Sequence, residues 1–158
     1  MIRSRLEADL DACVEALAEV QKADGYPVAW PADPRGWLAP PSMVRAWIAV
    51  DPGAVVGHVG LVPADLDPAV AEIVGGARAL TVARLFVTPG GRGRGLAEKL
   101  MATVREQADG PLALEVSDEG VAAIALYERT GWRRVATTRA TWLNNAGQPA
   151  VMHHYVMP

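Results

Sequence analysis

Between an apolar run ending at Val87 and a helix-like run starting at Leu96, the chain places Gly90, Gly91, Arg92, Gly93, Arg94 and Gly95. Glycine is costly inside regular structure, and two arginines this close repel each other, so something must offset both. Anion binding would. The first N–H groups of a helix lack intrahelical acceptors, and the helix dipole adds partial positive charge there. Glycines let the backbone approach a phosphate closely, and arginine adds charge and donors. The segment therefore suits a phosphorylated ligand. The plain alternative is a solvated glycine-rich turn. An RGG-type nucleic-acid segment fits less well, because no aromatics interleave and the formal net charge is −3.

Two common phosphate loops fail. A Walker A loop needs Gly-Lys-Ser/Thr at its end, whereas Gly95 is followed by Leu96 and Ala97. A dinucleotide fingerprint started at Gly91 ends on Leu96, and one started at Gly93 ends on Glu98. Glu115 does lie at the spacing of a ribose-binding acid, but without the fingerprint it reads as structural.

The elements that must position this loop are legible from periodicity. Residues 2–5 read as a short strand, and Leu6, Leu10, Cys13, Val14, Leu17 and Val20 recur at helical spacing, with Gly25 closing that helix. Residues 25–41 carry five prolines and predict an irregular segment bearing Tyr26, Trp30 and Trp37. Strands are expected at 43–50 and 54–62, joined by a turn at Asp51-Pro52-Gly53, and a short helix near 69–73. A strand at 79–87 leads into the glycine-arginine loop. A helix over 96–108 and a strand over 112–116 follow. A second helix at 120–130 ends at Gly131, and strands at 134–143 and 150–157 close the chain. The strand–helix–strand unit over 79–116 implies one parallel pair, and its neighbours are antiparallel. The reading is a mixed α/β (α+β) sheet in one domain, residues 1–158, without internal repeats.

Composition sets the wider bounds. A chain of 158 residues, about half of them hydrophobic, can bury a sizeable core. The single cysteine, Cys13, rules out an internal disulfide and reads as a small buried hydrophobe. The first residues lack the apolar stretch of a signal peptide, and no apolar run nears the roughly 18 residues of a membrane span. The expectation is a cytoplasmic protein with no membrane or nucleic-acid partner and no metal. The apolar last strand leaves room for a homodimer.

Arg92-Gly93-Arg94-Gly95-Leu96-Ala97 resembles the R/Q-x-x-G-x-G/A signature of the GNAT superfamily of N-acetyltransferases. The stretch from Ala123 through Leu126, Tyr127 and Gly131 to Trp132 resembles the family's second hallmark, A-x-x-L-Y-x-x-x-G-[FW]. The resemblance covers about residues 43–143. It implies the GNAT fold: a mostly antiparallel central sheet with one parallel βαβ pair and helices on both faces. It also implies acetyl-CoA as cosubstrate. Main-chain N–H groups of Arg92, Gly93, Arg94, Gly95, Leu96 and Ala97 would bind its pyrophosphate. Leu85, Phe86 and Val87 would pair with the pantetheine arm like an added strand. The implied reaction is acetyl transfer to an amine by direct attack. A main-chain N–H near Val87 would meet the developing oxyanion, and Tyr127 would act as the acid for the leaving thiolate. From the helix pattern alone, Tyr127 reads as a packing residue beside Ala123 and Ile124.

Two positions depart from the family pattern. Thr81 stands where many members carry an acidic base, and Gly120 where a cofactor-contacting Asn is common. Glu72, Asp118, Glu119, His58, His153 and His154 are other candidates for a base, and the residues alone single out none. Arg84 reads as an edge cation. Residues 25–41 and the Asn144–Pro149 turn would shape the acceptor site. Trp30 and Trp37 either wall a pocket for a cationic amine or cover the core. Asp24 and Asp33 are placed to steer an amine. Trp47, Trp132 and Trp142 read as core or sheet-face residues. The expected activity is N-acetylation of a small-molecule primary amine. Its alternatives are a non-catalytic acyl-CoA-binding module and a protein or peptide N-acetyltransferase.

Overall fold

A computed structural model describes residues 1–157. Arg3 forks onto the Asp9 carboxylate at 2.8 and 2.9 Å, and Asp9 accepts the Leu6 N–H at 2.7 Å. The pair fixes the bend from strand β1 (Ile2–Ser4) through a single 3-10 turn into helix α1 (Leu10–Asp24). It also holds the Asp9 carboxyl down to about 2. The helix begins later than its periodicity predicts, so Leu6 stays 61% exposed. Gly25, at φ 71°, ends it. The proline-rich segment is not wholly irregular. Asp33 accepts the Gly36 N–H at 3.0 Å and caps a short helix α2 (Pro34–Leu38), with Pro34 in its first turn, where proline is tolerated.

Strands β2 (Arg45–Asp51) and β3 (Ala54–Asp65) form the expected antiparallel hairpin. Asp67 caps helix α3 (Pro68–Val74). Then come β4 (Arg78–Val87), α4 (Leu96–Gln107), β5 (Leu112–Ser117), α5 (Val121–Arg129), β6 (Arg133–Leu143) and β7 (Pro149–Met157). The seven strands are ordered β1-β2-β3-β4-β5-β7-β6. The parallel pair is β4 with β5, in register at Leu80–Leu112 and Thr81–Ala113.

The chain packs as two compact units. The first comprises Met1–Val62 and Val82–Gln107. Its core joins one face of α1 (Leu10, Cys13, Ala16, Leu17, Val20) to Leu38, Ile48 and Phe86. In α4, Leu100, Met101 and Val104 are buried at the predicted spacing. Each such leucine contributes about 1.5–3 kcal/mol by leaving water. The second unit comprises Pro63–Thr81 and the described residues from Ala108 onward. Val70, Ala113 and Val156 centre its core. Here β7 pairs with both β5 and β6, and its apolar Ala150, Met152, Tyr155 and Val156 are buried. No helix among the described residues is long and apolar enough to cross a membrane.

Cys13 is fully buried, and burial pushes its thiol up to about 11. A thiol that is neither exposed nor ionised is a poor nucleophile. Ellman's reagent should therefore leave the native protein unlabelled at pH 8 and label one thiol in urea; rapid labelling of the native protein would contradict this packing.

Candidate functional site

The glycine-arginine segment is a turn built against β3. The Thr88 N–H donates to the Val56 carbonyl at 2.9 Å, and Pro89–Gly91 make one 3-10 turn closed by Gly91 N–H to Thr88 O at 2.9 Å. A Cβ on Gly91 would meet Val56 O at 3.0 Å and Val87 Cγ1 at 3.1 Å, so this glycine is required by packing. Gly93 (φ 81°) and Gly95 (φ 69°) are required by backbone conformation instead, and open space surrounds the place of each missing Cβ. The first α4 hydrogen bond runs from Lys99 N–H to Gly95 O at 3.0 Å. The N–H groups of Leu96 and Ala97 therefore lie in the first helical turn, where no intrahelical acceptor exists.

The two arginines do not face each other. Arg92 forks onto Asp24, with one bond at 3.2 Å and a shorter one from its other terminal nitrogen, and donates to Val87 O at 3.3 Å. Arg94 pairs with Asp51 at 3.3 Å and donates to Gly90 O at 3.3 Å. These half-exposed pairs contribute roughly 0–1 kcal/mol each, and an anionic ligand can compete for them. Asp24 and Asp33, read from sequence as amine-steering acids, have other work: one holds Arg92 and the other caps α2.

Upstream of the loop, Phe86 is buried and stacked on His58, with centroids 5.2 Å apart. Any ligand contact of Phe86 must therefore use its main chain. Leu85 and Val87 are partly buried. All nine residues assigned to the cosubstrate, Leu85–Val87 and Arg92–Ala97, lie in the first unit.

Tyr127 lies in the second unit, on α5. It is buried, with Trp132 at 6.1 Å and Tyr155 at 5.9 Å between ring centroids. The buried Tyr155 hydroxyl donates to Glu128 at 2.9 Å, and Arg134 also binds Glu128 at 2.9 Å. Those two hydrogen bonds, Arg134 first, hold the Glu128 carboxyl below the usual range.

The alternative bases are mostly engaged. His58 is fully buried: Nδ1 lies 2.8 Å from Arg84 O, and Nε2 2.8 Å from an Arg5 terminal nitrogen. Arg5 can only donate, so Nε2 accepts and the Nδ1–H donates to the carbonyl. Burial pulls this imidazole down to about 4. His153 Nδ1 lies 2.9 Å from Thr137 Oγ1, and His154 Nε2 lies 2.7 Å from Thr138 Oγ1. Glu119 accepts the Asn145 N–H at 3.1 Å and steadies the Asn144–Pro149 turn. Thr81 Oγ1 is buried with no hydrogen-bond partner among the described residues.

Sequence reasoning missed Arg84. It is not an edge cation: its guanidinium lies 3.7 Å from the centre of the Trp37 ring, and its Nε donates to Trp37 O at 3.0 Å. Trp37 is thus a packing residue, whereas Trp30 remains 40% exposed. Trp47 and Trp132 are buried, but Trp142 is 43% exposed.

Gly120 also has a reason. Its Cβ would stand 2.9 Å from Val116 Cγ2 and 3.2 Å from Ser117 O. Gly120→Asn should therefore destabilise the fold by about 1–3 kcal/mol in urea unfolding, as overpacking does. Wild-type stability in this variant would show that the strand end can move aside.

A family profile described as the Acetyltransferase (GNAT) family matches residues 11–132. No curated protein matches the chain at a significant level. Among solved structures, NAA60 of Arabidopsis thaliana in complex with acetyl-CoA is similar, with a TM-score of 0.77 at 20% identity over 99% of this chain and 97% of that one. The ribosomal-protein-alanine N-acetyltransferase of Brucella melitensis gives 0.72 at 20% identity, over 99% and 98%. An N-acetyltransferase from Staphylococcus aureus gives 0.71 at 17%, over 99% and 96%. At these identities the likeness is one of fold. The profile match over most of the chain goes further, and it places the chain in the acetyltransferase (GNAT) family.

Proposed function

We propose that this acetyltransferase moves the acetyl group of acetyl-CoA onto a primary amine of a small molecule by direct attack. The observation that carries the reading is the Arg92–Ala97 loop. Two left-handed glycines with open space around them lead into the N-terminus of a 12-residue helix. That arrangement fits a pyrophosphate held by main-chain N–H groups. The family match draws on residues of both units, and we read residues 1–158 as one N-acetyltransferase domain.

On this reading the main chain of Leu85–Val87 takes the pantetheine arm as an added strand. Among the described residues the register pairs β4 with β5 at Leu80 and Thr81 and not at Leu85–Val87, which supports it. When bound, the cosubstrate supplies an activated acetyl thioester. The Val87 main-chain N–H donates to the carbonyl oxygen as negative charge grows there. The Tyr127 hydroxyl gives its proton to the departing sulfur. Thr81 has no basic group, so the amine arrives neutral; as its nitrogen bonds the acetyl carbon and the carbon–sulfur bond breaks, that nitrogen releases one proton to water and the Tyr127 oxygen regains one from water.

A second acceptor class, the N-terminal amine of a protein, is favoured by the activity for which the Brucella melitensis relative is named. Calorimetric titration with acetyl-CoA, then thiol release with small amines and with N-terminal peptides, separates the readings. Wild type should bind, Arg92→Ala should bind about tenfold more weakly through loss of one charged contact, and a small amine should give turnover. Turnover only with peptides would move the acceptor to the second class. Binding without turnover on either panel would favour a non-catalytic acyl-CoA module.

A further inference from the structure

Within the first unit, three buried or half-buried side chains meet at one backbone irregularity. Arg84, in the middle of β4, has φ 59° and is the only non-glycine residue with positive φ among the described residues. L-residues rarely adopt that conformation unless their surroundings hold them there. Here the hold can be traced. The Arg84 carbonyl accepts from His58 Nδ1–H at 2.8 Å, a side chain on β3. The Arg84 side chain is stacked on Trp37 and bonded to Trp37 O. On the other side of the imidazole, Arg5 reaches Nε2 at 2.8 Å and, through the same nitrogen, Leu38 O at 2.8 Å. His58 therefore stands between two arginines that each grip one of two consecutive carbonyls in α2. The ring face of His58 lies on Phe86, nearly parallel at 8°.

The irregularity immediately precedes Leu85–Val87, the segment assigned above to the cosubstrate arm. We propose that His58 is a positioning residue for cosubstrate binding: by donating to the Arg84 carbonyl, it holds β4 in the conformation that sets the main chain of Leu85–Val87. The inference rests on the acetyl-CoA reading above. It assigns His58 no proton transfer, because both ring nitrogens are occupied inside the fold.

Side-chain shape supplies the test. His58→Phe keeps the ring stack and loses both hydrogen bonds. In His58→Asn, the amide nitrogen can take the place of Nδ1 and restore the bond to Arg84 O. A second pair probes the backbone itself. Arg84→Gly and Arg84→Val both remove the guanidinium, but glycine accepts φ 59° freely and valine resists it. Calorimetry with acetyl-CoA on folded variants should show His58→Phe about tenfold weaker than wild type, the effect of one buried hydrogen bond. His58→Asn should stay within about threefold of wild type, given the restored bond. Arg84→Gly should bind like His58→Asn and Arg84→Val like His58→Phe.

Wild-type affinity in folded His58→Phe, or equal affinities in the two Arg84 variants, would overturn the proposal. If His58→Phe does not fold, the Arg84 pair decides alone. Amide hydrogen exchange at 85–87 in the ligand-free protein gives a readout independent of the ligand: exchange should be faster in Arg84→Val than in Arg84→Gly, and equal rates would sink the clamp. Failure of wild type to bind acetyl-CoA would sink the functional reading instead, and the exchange rates would still report on the clamp.

Discussion

Replacing Tyr127 by Phe should lower kcat about a hundredfold, the lower end of what a positioned general acid supplies, while the Kd for acetyl-CoA stays within about twofold. The substitution is a clean one here. Tyr127 is buried, and its ring lies at packing distance from those of Trp132 and Tyr155. Phenylalanine keeps those ring contacts, so a loss of rate reports on the hydroxyl and not on a collapsed core. Alanine would mix the two effects, since emptying a buried aromatic site costs about 3–5 kcal/mol of stability. The rival role of Tyr127 is packing alone, in which the hydroxyl is only a satisfied polar tip. The two roles predict opposite kinetics. A kcat within about twofold of wild type, with unchanged thermal stability, would return Tyr127 to the core and leave the thiolate to be protonated by water.

The loop and its supporting elements were legible because their signals are local. Gly93 and Gly95 mark left-handed backbone, and glycine is the residue for which that conformation is cheap. The α4 face over Leu100, Met101 and Val104 follows from the roughly 3.6-residue period of a helix. Helix α2 was hidden because five prolines argue against helix, yet Pro34 sits in the first turn, where its missing N–H costs nothing. The His58–Arg84–Trp37 arrangement was illegible for a different reason. Nothing local to Arg84 signals positive φ, since arginine has no preference for it. The conformation is imposed by partners 26 and 47 residues away in sequence. His58 was therefore open as a catalytic base in the sequence, and only its burial and the contacts of its two ring nitrogens show that neither nitrogen is free to take a proton from a substrate. Gly120 was similarly opaque: its absence of a side chain reads as a lost ligand contact in sequence and as a packing requirement in the fold.

The same buried imidazole gives the protein a pH-dependent stability. In the folded chain His58 is held neutral down to about pH 4, chiefly by burial, with Arg5 and Arg84 adding like-charge repulsion against its proton. In the unfolded chain it titrates near pH 6.5. The unfolded state therefore takes up the proton first. The stabilisation is complete above about pH 6.5 and is lost as pH falls from there toward 4. Between about pH 7.5 and 5.0 urea unfolding should lose about 2 kcal/mol, since each tenfold difference in proton affinity between the folded and unfolded chains is worth about 1.4 kcal/mol. Asp9, held down to about 2 by Arg3, works in the same direction but only in more acidic solution, below about pH 4. The two effects are thus separable along the pH axis. His58→Asn removes the titrating group while keeping a donor for the Arg84 carbonyl, so its stability should change by less than about 1 kcal/mol over the same interval. Equal acid sensitivity in wild type and His58→Asn would mean that another group carries the dependence. A wild type indifferent to pH over that interval would mean that the folded protein accommodates an imidazolium between two arginines, against the cost of burying a third cation there.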